Sequence, residues 1–358
     1  MPASLEHQRL EAIGLKPSYG QLVVQQSARL LGTAWFFFVG ASIGSFLNVV
    51  VWRVPRGRSL FGRSHCPWCA VQIPGRDNLP VLGWVLLRGR CRTCRLPISP
   101  RYPLVELGMG LLFLLVLGVE LLSGGSSLPV REVASRQGFF EVVYTPQTEL
   151  LGLYAFHMWM LAHLVAWTLI QRDGLKVPLR YVAFVLVSAL VAGISFPWLH
   201  PVPALFGPLA GFARLMPWFN RALTGVAGFV FGALLGNEFD MARSARRPQA
   251  TWFLGLAGAQ LGWQAAFGIA LIATFLQLGS MIWRRLTQPR HEWPLGAAIF
   301  IATLSQLIFW RSTAEIPWWP GPDASLRAIA IAGIVIVAIQ FLIRYSHRRE
   351  PRVSAATE

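Results

Sequence analysis

The sequence is poor in charge and rich in hydrophobic residues. Of its 358 residues, 13% are charged and 54% are hydrophobic, whereas soluble domains carry roughly 25% charged residues. Acidic residues number 16, and lysine occurs only at Lys16 and Lys176. This composition excludes an ordinary soluble globular protein and indicates that most of the chain lies in a membrane.

Most of the charged residues are arginines, and the net charge is +16. A strongly basic chain can indicate a nucleic-acid partner. In a membrane protein the same excess follows from the positive-inside rule, by which arginines collect in cytoplasmic loops. Because the arginines here fall between apolar runs, we expect membrane lipids as surroundings and no nucleic-acid partner.

Apolar runs recur along the chain at the length of roughly 20 residues that a membrane span needs. Residues 1–29 are polar and of mixed charge, so we expect no cleavable secretory signal. The run from Thr251 to Trp283 is too long for one span, and its glycines predict a tight hairpin of two. The other expected spans are Leu30–Trp52, Leu104–Leu122, Leu150–Ile170, Tyr181–Leu199, Ala222–Leu235, Pro294–Phe309 and Leu326–Ile343.

The sequence therefore predicts an all-α polytopic membrane protein with about eight or nine transmembrane helices. A small cytoplasmic insertion with four cysteines separates the first two helices. The expected segments are an N-terminal polar segment (1–29), a first domain with two spans and the cysteine loop 53–101 (30–123), a second membrane domain (150–285), and C-terminal helices with a basic tail (290–358).

All four cysteines lie in the loop 53–101, as the pairs Cys66 and Cys69 and Cys91 and Cys94. Two CxxC pairs on tight turns suit a tetrahedral zinc site, like a zinc knuckle, in which four protein ligands make the metal structural. The loop holds ten arginines and one acid, Asp77, which predicts a cytoplasmic, reducing location where disulfides are disfavoured. Free thiols and a redox-active thiol pair are the alternatives.

Several motifs around this loop follow one another in a specific order. They are Gly44-Ser-Phe-Leu-Asn48, Trp52-Arg-Val-Pro55, Ser64-His-Cys-Pro-Trp-Cys69, Asp77-Asn-Leu-Pro80, Leu87-Arg-Gly-Arg-Cys-Arg-Thr-Cys94 and Arg101-Tyr-Pro-Leu-Val-Glu106. In residue type, order and spacing, this stretch resembles the N-terminal part of members of the type IV prepilin leader peptidase/N-methyltransferase family. Members of this family are aspartic peptidases of the A24 type.

The resemblance implies a bacterial inner-membrane enzyme of type IV pilus or type II secretion systems. Family members remove a short basic leader from pilin-like precursors and then N-methylate the new amino terminus with S-adenosylmethionine. Methylation is associated with the cysteine-bearing domain, and a glycine two residues before the third cysteine is implicated in it. That glycine is Gly89 in this chain. A turn glycine within the knuckle is the alternative role for Gly89.

Leader cleavage in the family depends on two aspartates, since paired carboxylates can divide the roles of water activation and carbonyl polarisation. The first aspartate lies in an IDxDxxxLP motif, which maps onto Ile170–Pro178. The catalytic position is then occupied by Gln171, and Asp173 matches only the accessory acid. The resemblance thus predicts that this member lacks the first catalytic carboxylate.

The second aspartate lies in a GxGDxKLxxxxGxxLGWQ motif, whose end is intact here as Leu261-Gly-Trp-Gln264. Counting back places the catalytic aspartate at Ala250 and the two glycines at Arg247 and Gln249. Glutamine cannot ionise and alanine has no side-chain oxygen, so neither can activate water. An insertion before Thr251 would instead bring Asp240 to this position, where it could pair with Asp173.

Three hypotheses remain. In the first, the chain is a degenerate family member that has lost proteolysis but keeps methyl transfer and the cysteine module, which is the loop 53–101. In the second, it is a non-catalytic membrane component of a pilus or secretion system. In the third, it is an active peptidase that uses Asp173 and Asp240.

Glu106 either faces a basic leader or is a carboxylate favoured near a helix N-terminus. His157 and His163 are expected to form hydrogen bonds between helices.

Overall fold

A computed structural model describes residues 18–129, 139, 142, 146–202, 204, 217–242, 249–287, 294–321 and 324–349. In these residues it contains ten α-helices and no β-strand, which confirms the all-α class. The helices are α1 (Tyr19–Arg53), α2 (Leu82–Leu86), α3 (Arg101–Val116), α4 (Thr148–Arg172), α5 (Leu179–Ser195), α6 (Pro217–Ala242), α7 (Ala250–Leu261), α8 (Trp263–Thr287), α9 (Leu295–Ala314) and α10 (Leu326–Arg349).

Seven of the helices in the described part of the chain are long and apolar enough to cross a membrane. They are α1, α3 with the π-helical turn that extends it (Leu117–Leu122), α4, α6, α8, α9 and α10. Helix α5 is a shorter apolar helix of 17 residues. Counting α5, the described helices reach the lower end of the expected eight to nine, so the chain is a multi-pass membrane protein.

The predicted break in the long apolar run lies at Gly262, whose φ of 91° ends α7 before α8 begins. Helix α7 has 12 residues. At about 1.5 Å per residue it is about 18 Å long, less than the ~30 Å of hydrocarbon. The hairpin therefore consists of one short buried helix and one full span.

The chain forms two compact units, one of residues 1–126 and 131–178 and one of residues 127–130 and 179–358. In the first unit, α1 and α3 pack closely at two glycines of α1. A Cβ atom at Gly40 would lie 2.7 Å from Cγ of Phe113, and one at Gly44 would lie 2.8 Å from Cα of Glu106. Small residues of this kind allow the backbones of membrane helices to approach each other.

The second unit is organised by glycines spaced four apart on α6. A Cβ atom at Gly228, Gly232 or Gly236 would clash with backbone carbonyl groups of α7. Larger residues at these three positions would force the helices apart, because the obstructing atoms belong to the backbone. The close contact places the C-terminal end of α6 beside the first turn of α7.

The interior of the first unit contains a polar pair. Nδ1 of His157 on α4 lies 2.6 Å from Oε1 of Glu120 in the π-helical turn, and both side chains are fully buried. This contact confirms the expected interhelical hydrogen bond for His157. The His163 ring packs edge-on against Trp159 of its own helix, with centroids 4.4 Å apart.

Candidate metal centre and catalytic positions

Two similar turns hold the cysteine pairs in the loop between α1 and α3. In each turn the N–H of the residue after the pair, Ala70 or Arg95, donates to the carbonyl of the first cysteine, Cys66 or Cys91, at 3.0 Å. Ala70 and Arg95 have φ values of 55° and 60°, in the left-handed region that bulky residues seldom enter. Each turn thus presents its two thiols in the same way.

The four cysteine sulfurs converge, all lying within 4.8 Å of one another. Sγ of Cys66 and Sγ of Cys94 are 3.8 Å apart. A tetrahedral zinc ion with Zn–S bonds of about 2.3 Å separates its ligands by about 3.8 Å. Backbone N–H groups of Cys94 and Thr93 lower the pKa of Cys91 to about 6, which favours its thiolate, whereas burial and the hydrogen bonds of the neighbouring thiols raise the pKa of Cys94 to about 11. The predicted cluster between the first two spans could therefore bind a metal ion.

Gly89 lies directly before the second turn, against an aromatic ring. Its φ is 67°, and a Cβ atom there would lie 2.8 Å from Cζ2 of Trp84. Nε1 of Trp84 donates to the Ile98 carbonyl at 3.0 Å, and the Ile98 N–H donates to the Gly89 carbonyl at 2.7 Å. These contacts give Gly89 a structural reason to be glycine. Its role in methyl transfer stays a prediction.

Asp77, the acid of the cysteine loop, is held by an arginine that follows the third cysteine. Arg92 donates to both carboxylate oxygens of Asp77, at 2.6 and 2.7 Å. The hydrogen bonds from Arg92 lower the pKa of Asp77 and keep it ionised. This pair joins the segment before α2 to the second cysteine turn.

Glu106 contacts the cysteine loop in a way that the sequence does not suggest. Its Oε2 atom accepts a hydrogen bond of 2.6 Å from the N–H of Val81, the residue before α2. Val81 has a φ of 62°, a strained conformation for a β-branched residue. The sequence does not predict this contact, because no local sequence pattern indicates the left-handed backbone at Val81 or its proximity to α3.

The predicted position of the first catalytic aspartate lies at the C-terminal end of α4. Gln171 is half-buried in the last turn, and Asp173 follows the helix. Nη1 of Arg101, at the start of α3, lies 2.5 Å from Oδ1 of Asp173. The accessory acid is therefore engaged in an ion pair within the first unit.

The predicted position of the second catalytic aspartate, Ala250, begins α7 and is 1% exposed. Asp240 on α6 accepts hydrogen bonds from the N–H of Ala250 at 3.0 Å and from the N–H and hydroxyl of Thr251 at 3.0 and 2.9 Å. The Asp240 carboxylate does reach position 250, but it caps the N-terminus of α7. Gln249 directly precedes this helix, whereas Arg247 lies outside the described residues.

Asp173 and Asp240 belong to different compact units. Within its own unit, Asp173 has a partner of opposite charge and Asp240 has a set of hydrogen-bond donors. Of the four aspartates in the sequence, Asp77 is also paired, and Asp323 lies outside the described residues. The shifted catalytic pair therefore stays a prediction.

Comparisons with known proteins place these features in context. Residues 38–119 match the Bacterial Peptidase A24 N-terminal domain. The prepilin leader peptidase/N-methyltransferase of Klebsiella pneumoniae is 32% identical over 252 residues, which cover 67% of this chain and 90% of that protein. The protein of the same name from Aeromonas hydrophila is 29% identical over 307 residues, covering 76% and 90%. The one from Myxococcus xanthus (strain DK1622) is 51% identical over 84 residues, covering 23% and 25%.

No solved structure matches the chain. The helices and the cysteine cluster define a multi-pass membrane protein. Between its first two spans lies a four-cysteine module that could hold a metal ion. Its identity to the Klebsiella pneumoniae protein extends over nine tenths of that relative. The chain belongs to the prepilin leader peptidase/N-methyltransferase family.

The surroundings of Gly89 predict that Gly89→Ala disrupts the second cysteine turn. The added Cβ would meet the Trp84 ring, and a left-handed alanine costs roughly 1–2 kcal/mol. We expect wild-type protein to carry one zinc ion per chain by elemental mass spectrometry and the variant to carry several-fold less. The control is Gly75→Ala, where a Cβ meets no atom within 4 Å. Unchanged zinc in Gly89→Ala, together with lost methylation, would instead place Gly89 at the methyl donor.

The cap on α7 predicts that Asp240→Ala destabilises the protein. Three donors would lose a charged acceptor in a buried place, which we expect to cost about 2 kcal/mol or more. A melting curve of the purified protein in detergent should shift down by several degrees. Glu238→Ala, two residues earlier on α6 and half-buried, serves as the control. Equal melting temperatures for both variants would contradict the capping role.

Proposed function

We propose that this chain is a bacterial inner-membrane protein that acts on pilin-like precursors without aspartic peptidase activity. In this proposal it N-methylates the amino terminus of a substrate whose leader another enzyme has removed. The observation that carries the proposal is the absence of a carboxylate at both catalytic positions, Gln171 and Ala250. The segment 150–285 is then a degenerate peptidase-like domain, and we assign no role to the extension 290–358.

The chemistry of cleavage supports the loss of proteolysis. An aspartic pair needs one ionised and one protonated carboxyl group close together. The amide of Gln171 cannot ionise, and Ala250 offers no oxygen. The nearest acids in sequence are already engaged, Asp173 by Arg101 and Asp240 by the first turn of α7. Use of either as a catalytic base would require breaking those contacts.

The intact cysteine module supports retention of methyl transfer. Its motifs are complete in the sequence, its four thiols fit a tetrahedral zinc ion, and the relatives named above are N-methyltransferases as well as peptidases. Zinc held by Cys66, Cys69, Cys91 and Cys94 would be structural, since four ligands leave no open position. S-adenosylmethionine would supply the methyl group. The contribution of this chain would be to hold the module beside the substrate's amino terminus.

Electrostatics favour a substrate without its leader. The loop 53–101 holds ten arginines, and its one acid, Asp77, is paired with Arg92. A basic leader would be repelled by this surface, whereas a processed amino terminus carries less positive charge. The same arginines support a cytoplasmic location of the loop by the positive-inside rule.

A mass assay in proteoliposomes with S-adenosylmethionine tests the two activities separately. Intact prepilin should keep its leader, because no carboxylate pair is available. Pre-cleaved pilin should gain the mass of one methyl group at its amino terminus. Cys91→Ser, which removes a thiol of the cluster, should abolish the gain, whereas His65→Ala should retain it because exposed His65 lies outside the cluster.

Two outcomes would overturn parts of the proposal. Leader cleavage that is lost in Asp173→Asn would revive the shifted aspartate pair. That variant is informative because Asp173 is partly exposed and caps no buried helix, whereas Asp240→Ala is expected to disturb folding. Absence of both activities, with stable binding of pilin, would favour a non-catalytic component of a type IV pilus or type II secretion system.

A further inference from the structure

The short helix α2 in the cysteine loop turns its apolar side chains outward. Leu82, Val85 and Leu86 are 55%, 56% and 72% exposed, and Leu79 just before the helix is 40% exposed. Leu82, Val85 and Leu86 lie three and four residues apart within the helix, which puts them on one side of it, and Leu79 lies in the turn before it. We call these four residues the α2 face.

The opposite side of α2 is fixed to the rest of the module. Gly83 packs so closely against the Asp77 carbonyl that a Cβ would clash with it. Trp84 points inward and donates to the Ile98 carbonyl at 3.0 Å. The orientation of the α2 face is therefore set by internal contacts, and its apolar residues do not contribute to the core of the module.

The start of α2 is tied to a membrane-spanning helix. Oε2 of Glu106 accepts from the Val81 N–H at 2.6 Å. Glu106 lies five residues after Arg101, the first residue of the span Arg101–Leu122, which is about 7.5 Å along the helix. Asn48 on α1 also donates to the Tyr102 carbonyl at 3.2 Å. These contacts place the start of α2 beside the first turns of α3, near the end of that apolar span.

Basic side chains flank the α2 face. Arg76 precedes it, and Arg88 and Arg90 follow it, all exposed. Apolar side chains with flanking arginines are typical of segments that lie in the interface of a membrane with anionic lipids. Arginine can bind the phosphate groups while its stem stays among the acyl chains.

We propose that the α2 face is seated in the interfacial layer of the bilayer, with Arg76, Arg88 and Arg90 on anionic headgroups. A lipid interface fits the positive charge of these arginines. It also fits the position of α2 beside the first turns of α3, where the hydrogen bond from Val81 to Glu106 holds it. Seating α2 there holds the four-cysteine cluster close to the membrane surface, where the end of a membrane-embedded substrate would emerge.

Photocrosslinking in nanodiscs of phosphatidylcholine and phosphatidylglycerol tests this proposal on the full chain. Photoreactive p-benzoylphenylalanine replaces Leu86, or, as the control, Gln72, which is also exposed but lies in the first cysteine turn. Mass spectrometry of the irradiated protein should find several-fold more lipid adduct at position 86 than at position 72. In the background of Arg88→Gln and Arg90→Gln, the phosphatidylglycerol share of the adducts should fall.

The zinc content of each labelled protein reports whether the module is folded, so only metal-loaded samples are compared. Crosslinks from position 86 to another segment of the chain would overturn the proposal, because the α2 face would then be covered by protein. Equal lipid adduct at positions 86 and 72 would overturn it as well. The outcome is independent of whether the chain cleaves or methylates pilin.

Discussion

A carboxylate removed from water needs a cation or several hydrogen-bond donors, because its desolvation is costly in a medium of low dielectric constant. This requirement governs the acids of the protein interior and of the membrane boundary. Among the described residues, four such acids have a partner that also joins two parts of a unit, although Oε2 of Glu120 lacks one: Asp240 with the start of α7, Asp173 with Arg101, Glu106 with Val81, and Glu120 with His157. In a chain with few acids, these side chains link neighbouring helices and loops, and the predicted catalytic positions hold Gln171 and Ala250.

The cysteine module is coupled to the spans at both of its ends. At the end of α1, the Arg53 guanidinium donates to a series of backbone carbonyls, those of Ser59, Leu60, Phe61, Gly62 and Arg63. At the start of α3, Glu106 holds Val81 in a strained conformation. The module is therefore fixed to the ends of the two helices that flank it.

The sequence allowed the class, most spans, a division of the run Thr251–Trp283 into two helices and the cysteine cluster to be predicted, because these depend on local patterns of hydropathy, glycine and CxxC spacing. It did not allow the partners of the acids to be predicted. Asp240 and Ala250 are ten positions apart, and Glu106 and Val81 are twenty-five apart, so their contacts depend on how helices pack. The length of α7 could not be predicted either, because an apolar run does not distinguish a short buried helix from a membrane span.

The most direct test withdraws zinc by a chelator in steps and follows one sample of intact prepilin and one of pre-cleaved pilin by mass. We expect methyl incorporation into pre-cleaved pilin to fall in proportion to the zinc that remains bound. The intact precursor should keep its leader at every step. Removal of the leader by the fully loaded protein would show that proteolysis is retained, because Gln171 and Ala250 cannot supply a catalytic carboxylate pair.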